Sequence, residues 1–226
     1  TGPHDYNTVG NYEAGAKPSG SDILRVTGSY DILYGLDQSS ITLGALNIGK
    51  DFTGTVGSKA AGTMLQINAT TVIIDGSGAY IGHDGTSTNV YVRSTARGTN
   101  AVKLDGDIGT LHITGGGCKG EVTVQGAAVL DNVYMLNASL ATLDIGTSVT
   151  SLDLIDMDGG KVTNDSGIVN VKVSGGQYTQ TDGGITTKAE LRGGGRLIYN
   201  TVTTLAEIDV MNGRFDLSES TADAVT

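Results

Sequence analysis

Apolar and polar residues alternate along most of this chain over three to five positions, and each run stops at Gly, Asn, Asp or Ser. Ile23-Leu24-Arg25-Val26 leads to Gly28, Tyr30-Asp31-Ile32-Leu33-Tyr34 to Gly35, and Val122-Thr123-Val124-Gln125 to Gly126. A period of two, rich in β-branched residues and closed by turn formers, predicts short β-strands. No 11-residue window sustains a helical period. One phrase recurs: alternating apolar residues, then a glycine cluster. It reads Leu111-His112-Ile113-Thr114-Gly115-Gly116-Gly117, then Leu154-Ile155-Asp156-Met157-Asp158-Gly159-Gly160. It returns as Val171-Lys172-Val173-Ser174-Gly175-Gly176, Ala189-Glu190-Leu191-Arg192-Gly193-Gly194-Gly195 and Ile208-Asp209-Val210-Met211-Asn212-Gly213. The units follow one another at roughly 16 to 22 residues, with one gap of about twice that, a spacing that indicates stacked repeats.

Short strands at even spacing fit either a β-sandwich of jelly-roll type or a β-solenoid. The solenoid is favoured. Two-residue hairpin signals are nearly absent, Asn212-Gly213 being the main candidate. The glycine clusters also fall at similar places in successive units, where the corners of stacked coils would lie. The expected fold is all-β: a right-handed parallel β-helix over residues 22–226, preceded by an extended arm or cap over residues 1–21. The arm has no clean period and holds both prolines, Pro3 and Pro18. Units of ~20 residues predict about ten coils and, at ~4.8 Å per coil, a rod near ~50 Å.

Composition suits a thin stacked core. Glycine supplies 35 of the 226 residues, and the chain has 9 tyrosines, 2 phenylalanines and no tryptophan. The apolar residues are instead Val, Ile, Leu and Ala, spread evenly. Net charge is −10 and no Lys/Arg cluster occurs, so the electrostatic footprint of a nucleic-acid binder is missing. No apolar run approaches the ~18 residues of a membrane span, and no leader peptide is legible. The single cysteine, Cys118, excludes an internal disulfide framework and reads as a small apolar residue beside a glycine turn.

Candidate chemistry is sparse. Asp153, Asp156 and Asp158 form the densest acidic group. A carboxylate pair could serve glycoside hydrolysis, and three could hold calcium, but the full calcium loop is absent. Alternation places Leu154, Asp156 and Asp158 on one side and Asp153, Ile155 and Met157 on the other. The group reads as a solvated corner. Gly82-His83-Asp84-Gly85 invites comparison with the Gly-His-Gly of β-helical pectinases, yet the chain has no adjacent Asp-Asp pair and no Arg-x-Lys, so His83 reads as a turn residue. His4 lies far away in sequence, and His112 alternates with Leu111 and Ile113 and should face solvent. Three scattered histidines make no ligand set. No Gly-x-Ser-x-Gly or P-loop is present. Sequons at Asn68, Asn137 and Asn164 arise by chance in such a composition. No catalytic, cofactor-binding or metal-binding residue is expected, and no cofactor.

The segment Tyr6-Asn7-Thr8-Val9-Gly10-Asn11-Tyr12-Glu13-Ala14-Gly15-Ala16-Lys17-Pro18-Ser19-Gly20-Ser21-Asp22-Ile23-Leu24 resembles the opening of β-solenoid segments in phage virion proteins and, less closely, in bacterial autotransporter-type adhesins. The resemblance implies a non-enzymatic structural protein on a phage particle, of the capsid-decoration or cement kind. Its partners would be the major capsid or other virion proteins, with a homotrimer as the expected assembly and no nucleic-acid or membrane partner. A tail fibre, spike or extracellular adhesin segment is the neighbouring alternative. A β-helical carbohydrate-active enzyme is the alternative of another class.

Overall fold

A computed structural model describes residues 4–58, 63–98, 101–126, 129–203 and 205–217, with the side chains of 84–87 excepted. Among the described residues fourteen strands form one sheet system. They are β1 (Ile23–Val26), β2 (Asp37–Ile48), β3 (Leu65–Ile74), β4 (Ala79–Val92), β5 (Val102–Thr114), β6 (Glu121–Gln125) and β7 (Leu130–Leu136), then β8 (Thr142–Ile145), β9 (Leu154–Asn164), β10 (Ile168–Gln180), β11 (Ile185–Leu191), β12 (Gly195–Tyr199), β13 (Ile208–Val210) and β14 (Gly213–Asp216). Every pairing between strands is parallel, and the one antiparallel contact described is the isolated bridge Ser58–Thr63. The chain is a β-solenoid of about nine turns, which excludes the sandwich.

Alternation decides which residues stack. On the first face Leu24, Leu46, Val72, Val90, Leu111, Val133, Ile155, Val171, Ala189 and Ile208 follow one another in register, one per rung. All but the first and last are buried. A second face carries the column Leu65, Ile81, Leu104, Val124, Ile145, Asn164, Gln180 and Tyr199. A short third side supplies Ile108, Leu130, Leu152, Ile168, Ile185 and Leu205, all buried. A parallel rung cannot bury its inner side chains alone; its neighbours above and below complete the core.

The double-length gap in the sequence repeat is filled by β7, whose rung Asn132-Val133-Tyr134-Met135 pairs with β5 and β9. Its corner escaped the glycine pattern because Asn137 takes the left-handed conformation there, at φ 54°; Asn tolerates this better than most residues. Elsewhere glycine turns the corner. Gly160 and Gly176 sit one above the other with φ near 77° and 78°, and a Cβ on Gly176 would lie 2.4 Å from the Gly160 carbonyl oxygen. Asn212-Gly213 is no hairpin: β13 and β14 on either side pair in parallel with β11 and β12, so it too is a corner.

The arm is laid against the start of the rod. Tyr6 is buried within the same apolar cluster as the coils, Asp5 bridges to Tyr34, and the Tyr6 N–H donates to the Tyr34 carbonyl at 2.9 Å. The Tyr12 hydroxyl donates to the Tyr6 carbonyl at 2.7 Å, and the two rings meet edge to face.

Towards the other end, the second-face column changes from aliphatic to polar. Asn164, fully buried, donates from Nδ2 to the Ser166 carbonyl at 2.8 Å, the Tyr178 hydroxyl at 3.0 Å and Gln180 Oε1 at 3.1 Å. Gln180 Nε2 donates to the Ser166 carbonyl at 2.6 Å. These groups satisfy one another and fix the register of β9 on β10, which an aliphatic stack leaves to shape alone.

Candidate functional site

The residues singled out from sequence do not converge. Ile155 and Met157 are buried while Asp156 is half-buried and Asp158 exposed, as alternation requires. Asp153 is not on the inner side with Ile155 and Met157: β9 begins at Leu154, and Asp153 stands exposed on the corner before it. Asp158 accepts the Asn137 N–H at 2.5 Å and so holds the neighbouring corner.

His83 departs further from the sequence reading. It lies within β4 and its side chain points into the rod, 3% exposed. Its Nδ1 is 3.1 Å from the Ile67 carbonyl oxygen, which makes Nδ1–H the donor, while Nε2 is buried without a partner. Burial pushes its pKa down, opposed by the Ile67 carbonyl and by the charge of Asp107. The residue below it in the stack, Gly106, leaves no room for a side chain: a Cβ there would overlap the His83 carbonyl. The Asp84 side chain lies outside the described residues.

His4 is held in the arm, its Nδ1 2.9 Å from the Asp31 carbonyl oxygen. Cys118 is fully buried beside Thr95, with Sγ 3.5 Å from Thr95 Oγ1, and burial raises its thiol pKa, which keeps it protonated and inert. Of the sequons, Asn164 and Asn68 are buried, Asn68 donating to the Ser39 carbonyl at 3.0 Å; Asn137 is exposed. Among the described residues no group of three or more His, Cys, Asp or Glu is placed to hold a metal ion.

The most distinctive surface chemistry is one the sequence reading passed over. Tyr91, His112 and Tyr134 occupy the same outward register on three successive rungs of the first face. Tyr91 and His112 stack at 4.6 Å with their planes 2° apart, and His112 and Tyr134 at 5.3 Å and 18°. The Arg93 guanidinium lies 5.8 Å from the centre of the Tyr91 ring. Partial burial between the rings lowers the His112 pKa. The signal was in the repeat: Val90-Tyr91-Val92, Leu111-His112-Ile113 and Val133-Tyr134-Met135 align once β7 is counted as a rung. Rings stacked along the axis cover each other's faces and present edges outward. The ladder is therefore a firm, flat surface and a poor platform for stacking a sugar.

Two concavities lie near the start of the rod. A cleft of about 1000 Å³ separates the arm from β1, and Tyr6, Tyr12, Leu24 and Phe52 are among its walls. The Tyr6 hydroxyl is buried without a partner. A groove of about 510 Å³ follows the corner loops past Lys50, Asp75, Ser77 and Ser94. No protein-family profile, curated protein or solved structure is significantly similar to this chain.

Proposed function

We propose that this chain is a non-enzymatic structural protein of a phage particle, one that decorates or cements the capsid. What supports the reading is that several of the side chains capable of chemistry are engaged in holding the rod together. Asp158 ties down the Asn137 corner, Asp165 accepts from Thr181, His83 and Cys118 are packed inside, and Asn164 and Gln180 both donate to the Ser166 carbonyl. The chain carries a net charge of −10, and among the described residues the outward face of the rod bears the Tyr91–His112–Tyr134 ladder. Such a surface suits lateral contact with other virion proteins rather than turnover of a substrate. A tail fibre or spike shares this architecture and differs only in where the rod is mounted.

The test is direct. Antibody raised against the purified protein, applied to particles and viewed by electron microscopy, should label the capsid shell in a regular array. Labelling confined to the tail moves the protein to the fibre or spike. A screen on host capsular polysaccharide addresses the enzyme alternative: depolymerisation lost in Asp156→Asn or Asp158→Asn would overturn the structural reading.

A further inference from the structure

The exposed large apolar residues are not scattered along the rod. Of the eleven among the described residues, Val9, Ile23, Tyr30, Leu33 and Tyr34 lie at the start and Val202, Val210, Met211 and Leu217 at the far end, leaving only Leu136 and Leu140 between. Between the ends, the flanks carry few exposed large apolar residues; at the start the arm covers part of the end but leaves a cleft beside β1. Both ends also present a free strand edge among the described residues. β1 pairs with β2 alone and β13 with β11 alone. An unpaired edge with apolar neighbours is a template for another strand.

The two edges match. In the register of the first face, Leu24, Arg25 and Val26 begin the columns that Ile208, Asp209 and Val210 end. If the last rung of one rod were laid below the first rung of another, Ile208 would stack on Leu24 and Val210 on Val26, each continuing an apolar column. Asp209 would stand beside Arg25. Arg25 is exposed and has no ion-pair partner among the described residues; Asp209 is half-exposed and shares Lys188 with Glu207. The cleft between the arm and β1 runs along all four residues of β1, so an incoming strand has room to lie there.

We propose that this chain associates with a second copy of itself head to tail, β13 of one copy adding as a parallel rung beside β1 of the next. The contact is heterologous, so it propagates rather than closing. It is independent of what the rod decorates. A side-by-side trimer would bury the flanks and leave the ends free for the same contact.

Sedimentation velocity over a wide concentration range, at low and at 0.5 M salt (about a 3–5 Å screening length), tests this with full-length wild type, Arg25→Glu, Asp209→Arg and the double reversal. The wild type should show a concentration-dependent series of species that salt weakens. Each single reversal should raise the dissociation constant by about tenfold or more, and the double reversal should recover most of the lost affinity, because the pair is restored with opposite polarity. A thermal melt confirms that each variant is folded. Should Asp209→Arg lower stability through loss of the Lys188 pair, Val210→Lys, at a 49% exposed position, blocks the same contact. A wild type that stays a single species at every concentration overturns the proposal. So does association that neither reversal nor Val210→Lys alters, which would place the contact on the flanks.

Discussion

His83 and Gly176 show how narrow the interior of this rod is. An unfolded histidine takes up its proton near pH 6.5, and burial in the folded chain pushes the His83 pKa below that. The stability contributed by the neutral ring is therefore complete above about pH 6.5. It is lost as pH falls from there towards the lower folded value, at up to about 1.4 kcal/mol per pH unit. Asp107 opposes part of this loss. Melting temperatures measured between pH 7.5 and 5 should fall more steeply for the wild type than for His83→Gln; equal slopes would mean that the ring titrates as if solvated. At Gly176 the left-handed backbone and the Gly160 carbonyl act together, so Gly176→Ala should cost about 2–4 kcal/mol. Gly194 is also left-handed, at φ 90°, but open space surrounds it. Gly194→Ala should cost only about 1 kcal/mol, the strain without the clash. Urea denaturation of the two variants separates the contributions.

Successive strands gain most from the columns they share. The Tyr91–His112–Tyr134 ladder lies outside the core, yet its rings touch only across rungs, so it couples β4, β5 and β7. A double-mutant cycle of Tyr91→Ala with His112→Ala should return a coupling of about 0.5–1.5 kcal/mol. The same cycle on Tyr91 and Tyr134, which do not touch, should return less. Additive single effects for the adjacent pair would show that the stacking is geometric and contributes nothing to stability.

For the whole molecule, the consequence of stacking is that each rung depends on its neighbours and the first depends on the arm. Tyr6 is 3% exposed and belongs to the core cluster. Removing residues 1–21 uncovers the first coils, at a cost of about 2 kcal/mol from the tyrosine alone. The truncated chain should unfold at lower urea and bind a hydrophobic dye; an unchanged midpoint would show that the arm does not act as a cap. A one-dimensional stack also predicts that loss at one end frays the adjacent coils first, which hydrogen exchange along β1 and β2 would register.

Period-two alternation in runs such as Val122-Thr123-Val124 determined the strands and which side chains face inward, because successive residues on an extended backbone point to opposite sides. Recurrent glycine determined the corners, because few other residues adopt positive φ cheaply. These local rules were enough to specify a solenoid, but they work one rung at a time. The β7 rung was hidden because Asn137 turns its corner in place of glycine. His83 was misplaced because its Gly-rich neighbourhood resembles a turn, whereas β4 continues through it. The aromatic ladder and the Asn164–Gln180 network join residues 14 to 22 positions apart in the chain that become neighbours only when coils of unequal length come into register. That register, and with it the apolar ends of the rod, is decided by how each rung seats on the one below, a tertiary choice that no single run of residues encodes.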